Sequence, residues 1–275
     1  RTAVLKKDHD GYTEHLTDSS FDWDKQDLLA GRVSLHYLPS DDLDVLLHAT
    51  AINDESDGAA RKHFDIDPNA GFFSSAQVID DPRKVATDQG PSAAPLRHRS
   101  LDITIKKAMD WATLTSITAY NDSSSGPWVL DNDATEIGGL HNGRPATETE
   151  PAIPGLLIES EVYSQEFTLS SSNNDQLDWT VGLYYLQEDA SWVTGIDIPI
   201  FSFFARASSI NEVKAYAGFG DISYSLTDDL RLNVGIRYSN ETKDYKRRNE
   251  NNLVIGQFEE QDESDVSYAE KINKL

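Results

Sequence analysis

The chain has 275 residues, with 24 basic against 47 acidic side chains and a net charge of −23, and its mean hydropathy is −0.52. So acidic a chain excludes a nucleic-acid partner, which needs a basic patch; the charge reads first as hydrated loop surface, and second as capacity for divalent cations. No stretch approaches the ~20 apolar residues of a spanning helix, and the absence of cysteine rules out disulfides, cysteine metal sites and thiol nucleophiles.

In chain order, residues 1–7 read as a weak strand. Val33, Leu35 and Tyr37 then alternate with Arg32, Ser34 and His36, the period-2 pattern of a strand with one apolar and one wet face. A short turn at residues 39–42 leads to Leu43, Val45, Leu47, Ala49 and Ala51, which alternate with Asp44, Leu46, His48 and Thr50; Leu46 is the exception on the polar side. A long polar connection spans 54–97. Leu101, Ile103 and Ile105 alternate with Asp102, Thr104 and Lys106, and after a turn at Met109-Asp110 residues 111–120 form a strand of ambiguous faces. The connection 122–157 is again long. Residues 162–169 and 177–188 form a hairpin around the turn 171–175, with Leu177, Trp179, Val181, Leu183 and Tyr185 on one face. After a third long connection, 191–210, comes a glycine-rich strand over 213–226. It puts Ala215, Ala217 and Phe219 on one face and Ile222 and Tyr224 on the other, so a bulge is expected near Gly218-Phe219-Gly220. The turn 227–229 precedes the cleanest strand: Leu230, Leu232, Val234, Ile236 and Tyr238 against Arg231, Asn233, Gly235, Arg237 and Ser239. A fourth long connection, 247–266, leads to a weak strand over 267–275.

Short and long connections thus alternate without a break. A membrane-spanning β-barrel does this, since one rim carries tight turns and the other long loops. The expected strands, about ten in number and mostly about 9–12 residues long, match a tilted bilayer strand better than the ~5–6 residues usual in soluble sheets. Tyr37, Trp111, Tyr120, Trp179, Tyr185, Tyr224 and Tyr238 sit at or near strand ends, where barrels place aromatic girdles, although aromatics favour any strand.

Several phrases carry a family resemblance. LTSITAY at residues 114–120, EVYSQEFTLS at 161–170, LDWTVGLYY at 177–185, AYAGFGDISYSLTD at 215–228 and LRLNVGIRY at 230–238 stand in the order and spacing of the β-barrel of TonB-dependent outer-membrane receptors. The chain resembles that family well over 98–246 and more loosely over 1–53. The resemblance implies an all-β, antiparallel transmembrane barrel of about 22 strands with a plugged lumen, of which residues 1–275 would be a segment with long extracellular loops. The family's N-terminal plug, and the short box that contacts TonB, are not recognisable here. Nor is a terminal strand ending in an aromatic, so the segment corresponds to the middle of the barrel. Arg1 is not an initiator and no signal peptide is visible, so a processed chain or an excerpt of a longer one is expected.

No chemical signature contradicts a transport role. There is no G-x-S-x-G, H-E-x-x-H or P-loop, so no enzyme, catalytic residue or cofactor is expected. His36 and His48 lie on polar faces of adjacent strands, better read as solvated lumen residues than as a metal pair, since a site needs three or four converging ligands. Residues 131–136, DNDATE, offer hard oxygen ligands but lack the glycine and spacing of an EF-hand; a solvated acidic loop is the better reading, and no metal site is assigned. Asp41-Asp42 and Asp228-Asp229 are turn chemistry. The apolar tract 198–204 falls inside a long loop, where it either packs on its neighbours or meets an apolar ligand. Asp102, Glu166, Asp178, Arg231 and Arg237 are expected to face the lumen, with no ligand contact assignable.

The expectation is an outer-membrane receptor of a Gram-negative cell, taking up a scarce nutrient such as an iron–siderophore complex. Its partners would be outer-membrane lipid, the nutrient ligand, and the TonB complex through an N-terminal region outside this chain. A passive outer-membrane channel and a soluble extracellular all-β binding module are the alternatives.

Overall fold

A computed structural model describes residues 1–254, 257–260 and 264–266, apart from 64, 68, 70, 72, 73, 75, 89–94, 145–152, 173–175 and 228. In chain order its strands are β1 (Thr2–His9), β2 (Thr13–His15), β3 (Asp22–Trp23), β4 (Gln26–Ser40), β5 (Leu43–Asp54), β6 (Lys84–Val85), β7 (Leu96–Ala108), β8 (Ala112–Trp128) and β9 (Leu130–Asp131). They continue with β10 (His141–Arg144), β11 (Ile153–Pro154), β12 (Leu156–Ser171), β13 (Leu177–Ile198), β14 (Phe203–Thr227), β15 (Leu230–Val254), β16 (Gln257–Glu260) and β17 (Ser264–Val266). The long strands form one antiparallel sheet in the order β1-β4-β5-β7-β8-β12-β13-β14-β15-β16, and a separate three-stranded sheet runs β3-β2-β6. Each long strand pairs with its neighbour along the chain, a meander, and among the described residues the sheet does not close on itself. No helix among the described residues is long and apolar enough to cross a membrane. The expected strand over 267–275 lies outside the described residues, as do Asp228 and much of the turn 171–175.

The alternation read from single strands becomes a coherent surface through the register. One row of partners runs Tyr37–Val45–Ile105–Ser116–Phe167–Leu183–Gly218–Tyr238. It begins beside the β4–β5 turn and ends nine residues into β15. A row perpendicular to its strands that climbs from the turn rim to the far side of the apolar band is the stagger of a tilted barrel wall. Leu230 to Tyr238 covers roughly 27 Å of strand, which at a tilt of about 40° accounts for most of the ~25 Å apolar band of such walls. The opposite face carries Arg231, Asn233, Arg237, Asp178, Glu166 and Asp102 as expected, with Arg231 Nη2 donating to Asp178 Oδ2 at 2.7 Å. The ambiguous strand resolves in the same frame. Leu114 and Tyr120 pair within the apolar face, to Leu169 and Tyr163, while Ile117 pairs with Glu166 on the wet one.

Aromatic rows border the band. Trp111, in the β7–β8 turn rather than in a strand, stacks on Trp179 at 6.3 Å between ring centroids. Towards the other rim Tyr163, Tyr185 and Tyr216 form a chain of rings at 6.1 and 5.0 Å. Rings with a polar tip suit that boundary.

Two expectations fail here. There is no bulge near Gly218-Phe219-Gly220: the β14–β15 register is unbroken from Ala205 to Ser225, shifting only beside the turn at Ser225/Thr227. Apolar residues occupy both faces of β14 because Phe219 belongs to the wet face, where its ring lies over Gly182. A Cβ on Gly182 would stand 2.2 Å from the ring, and the Arg237 guanidinium covers the ring at 5.3 Å. Glycine supplies the socket, and an arginine rather than water covers the ring.

The second concerns strand length. β13, β14 and β15 have 22, 25 and 25 residues, not about 9–12. The third long connection, 191–210, is mostly strand, since Ile198 pairs with Phe203 across a 3-10 turn at Pro199–Phe201, and β15 likewise runs through 247–254. Beyond the apolar band the outward face of a strand meets water in place of lipid, while parts of the β13 and β14 extensions, such as Asp197 and Ser209, are buried. The hydrogen-bond ladder continues there but the alternation that reveals it does not.

Two predictions test the assignment of faces. Val234→Arg, at mid-band, should destabilise the folded barrel by about 2–4 kcal/mol, whereas Asn233→Arg on the wet face should change denaturant unfolding little. Gly182→Val should cost about 1–3 kcal/mol by overpacking and lower the temperature at which heat-modifiable gel mobility is lost; adding Phe219→Ala should recover part of that loss.

Candidate functional site

The described long connections all leave the same rim, opposite the turns at 41–42 and 109–111. Those at 10–25, 55–95 and 129–155, together with the β13–β14 tip, pack into a platform. Its first part is the small sheet: β2 pairs antiparallel with β3 and parallel with β6, burying Trp23, Val85 and Ala86. His15, 3% exposed, locks it. The Asp18 backbone N–H donates to His15 Nδ1 at 3.1 Å, which leaves the ring proton on Nε2, facing the Thr87 carbonyl at 3.1 Å and Oγ1 at 2.8 Å. Phe21 stacks on the imidazole at 4.8 Å. A histidine so partnered joins the 10–25 connection to the end of β6.

One residue beyond Thr87, Asp88 enters the second part. Its N–H donates to the Thr135 carbonyl at 3.0 Å, tying the 55–95 connection to 129–155. Asp131 on β9 stands opposite His141 on β10, and His141 is also the partner of Asp197 on β13. Residues directly opposite on paired strands hold their side chains together, and Asp88 closes the group: His141 Nε2 donates to Asp88 Oδ1 at 2.8 Å. One ligand-type atom from each of Asp88, Asp131 and His141 lies within 4.8 Å of the other two. Gly138 accepts from the Ile200 N–H at 3.0 Å, so the β13–β14 tip leans on the same loop.

The expectation of a solvated acidic loop over 131–136 is therefore corrected at Asp131 and Thr135, while Asn132 is exposed. Asp131 and Thr135 are 4% and 2% exposed. Asp133 is spent inside the loop, its Oδ1 accepting from the Thr135 N–H at 3.1 Å and Oγ1 at 2.5 Å, and its Oδ2 from the Leu140 N–H. Asp131 Oδ1 accepts from the Ala134 N–H at 2.8 Å. Burial, reinforced by the charges of Asp133 and Asp88, pushes the Asp131 carboxyl up to about 7. For His141 burial pulls the pKa down, but the Asp88 hydrogen bond and the charges of Asp88, Asp131 and Asp133 outweigh it, and the net shift is upward. Both groups hold protons more readily folded than unfolded, so their contribution to stability is present at low pH and is lost as pH rises through their folded values.

The other sequence candidates stay apart. His36 Nε2 donates to Asp44 Oδ1 at 2.9 Å and His48 Nδ1 meets Ser34 Oγ at 2.8 Å; the two do not form a pair. With Ser34, residues including Arg1, Arg32, Thr50 and Asp102 line a depression of about 550 Å³ on the wet face. In the tract 198–204, Phe201 at the hairpin tip is 66% exposed while Phe203 and Phe204 are half-buried. Sequence reasoning singled out Asp131 but missed Asp88, which comes from another connection, and His141, which meets Asp131 only through the β9–β10 pairing.

A family model described as "TonB dependent receptor-like, beta-barrel" matches residues 43–269. The ferric yersiniabactin uptake receptor FyuA from Yersinia pestis has a similar structure, with a TM-score of 0.62 and 16% sequence identity over 90% of this chain and 35% of that one. The chain thus spans about a third of that receptor's length, and at this identity the likeness shows the fold. None of the curated proteins matches.

His15→Ala should remove the buried imidazole that joins the Asp18 N–H to the Thr87 groups and weaken the local lock by about 1–3 kcal/mol. Limited proteolysis should then cut faster within 10–25 and 82–88, while the heat-modifiability of the wall stays unchanged.

Proposed function

We propose, from the premise that this chain belongs to the TonB-dependent receptor-like β-barrel family, that it forms part of the wall and the capturing loops of an active uptake receptor in the Gram-negative outer membrane. In this reading residues 1–275 supply about ten of about 22 strands, with the plug and the TonB-contacting segment elsewhere in the full protein. The cargo is a scarce nutrient too large for passive pores, such as an iron–siderophore complex, and energy reaches the receptor through TonB. No bond-making chemistry is assigned to the chain.

The observation that carries this reading beyond the family is the platform. A passive channel needs only a wall and an open rim. Here three separate connections and a hairpin tip interlock through polar contacts (buried His15 to Thr87, Asp88 to buried His141), and strands β13 to β15 run far past the apolar band. Such a built outer surface suits capture of a ligand before transport.

The test is uptake by the full-length receptor in a Gram-negative host that lacks its own siderophore receptors, offered a panel of iron-55-labelled ferric siderophores. Accumulation of at least one complex that vanishes when TonB is deleted supports the proposal. Entry that persists at the same rate without TonB would assign the barrel to passive channels.

A further inference from the structure

We propose that Asp88, Asp131 and His141 form a site for a divalent transition-metal cation of the zinc class, which clamps the 55–95 connection to the 129–155 connection. The proposal is independent of which cargo the receptor carries.

The geometry comes first. Ligand atoms of a tetrahedral zinc site stand about 3.4 Å apart, given metal–ligand distances of about 2.0–2.2 Å. The His141 nitrogen and an Asp88 oxygen are already 2.8 Å apart, and all three candidate atoms lie within 4.8 Å of one another. The remaining adjustment is on the order of 1 Å, and Asp88, whose side chain is 21% exposed, has the room to make it. Its exposed side also leaves the fourth position open to water, as a three-ligand zinc site requires.

A second observation is independent of proximity. Asp131 Oδ1 accepts from the Ala134 N–H, but its Oδ2 is buried without a hydrogen-bond partner, in a residue only 4% exposed, so this oxygen is not spent on the loop. A buried, unsatisfied carboxylate oxygen is costly, and a cation is the partner that offsets the cost. Asp133 is not a fourth ligand, because both its oxygens accept hydrogen bonds within the loop; it fixes the loop and adds negative charge.

The donor set chooses the ion. Two carboxylates and one imidazole are too nitrogen-bearing for calcium or magnesium, which prefer all-oxygen shells, and the lack of thiolates disfavours soft copper(I). Zinc accepts this mixture. Binding displaces the proton that His141 Nε2 now shares with Asp88, so imidazole and carboxylates coordinate together.

The experiment uses the full-length receptor purified in detergent, stripped with EDTA and titrated with Zn²⁺ by calorimetry, with bound zinc counted by elemental analysis. Wild type should bind one equivalent more than Asp131→Asn or His141→Gln, or those variants should bind at least about tenfold more weakly, a loss comparable to that caused by removing even an outer partner of a metal ligand. Asp189→Asn on β13 should behave as wild type. Heat-modifiable gel mobility establishes that each variant is folded. A second readout needs no variant: at a Zn²⁺ concentration of 100 times Kd, cleavage of wild type within 55–95 and 129–155 should slow by up to about 100-fold relative to EDTA. No zinc bound at micromolar concentrations, equal binding by wild type and folded variants, or cleavage of these loops unchanged by Zn²⁺ would each overturn the proposal.

Discussion

Lipid offers no hydrogen-bond partner to a backbone, so every peptide group inside the bilayer must be satisfied by another strand. The rest of this architecture follows from that constraint. It forces each long strand to pair on both sides, which a meander does with the least connection. It forces the pairing register to stagger, because strands of a closed wall must tilt. The row from Tyr37 to Tyr238 shows that stagger directly: eight paired residues climb from one aromatic border to the other. Only with this register do the apolar residues of strands far apart in sequence fall into a single band.

Above the band the constraint relaxes, and strand and loop chemistry take over from lipid. β13, β14 and β15 continue because their ladder hydrogen bonds remain favourable in water, while residues such as Asp189, Glu212 and Asp244 occupy positions that lower in the wall belong to leucine and isoleucine. The connections no longer need to bury apolar area, and they do so only sparingly, around Trp23 and Val85. They are held instead by polar pairs that include buried histidines: His15 with Thr87, and His141 with the more exposed Asp88. Unpairing one such group costs a hydrogen bond between two connections, which makes these contacts determinants of loop position.

What the sequence revealed and what it hid divide along the same boundary. The wall was legible because lipid imposes a two-residue period, and 230–238 announces itself by that period alone. The hairpin extensions at 191–198 and 203–210 look like loop in the sequence because water imposes no period. The bulge expected at Gly218-Phe219-Gly220 rests on apolar residues falling on both faces of a glycine-rich strand. Phe219 instead packs into the socket of Gly182 under Arg237, a contact between three strands that no local window contains. The family resemblance reached the fold because it rests on wall phrases such as LDWTVGLYY and LRLNVGIRY. It was silent on the platform, whose residues 88, 131 and 141 come from two connections without such phrases.

The position of the acidic cluster in the topology gives it mechanical weight. His141 is the partner of Asp131 on one side and of Asp197 on the other, so β10 is the seam where the loop platform meets the wall hairpin. Asp88 reaches that seam from the end of the segment that His15 fixes to the 10–25 connection. A change in charge at Asp131, whether a proton or a bound cation supplies it, therefore acts at a point joined to three outer connections and to β13. Moving any one of these without the others would separate buried polar partners. The platform responds as a unit for the same reason that the wall does: its hydrogen bonds cross from one connection to the next, so displacing one segment strains the bonds of its neighbours.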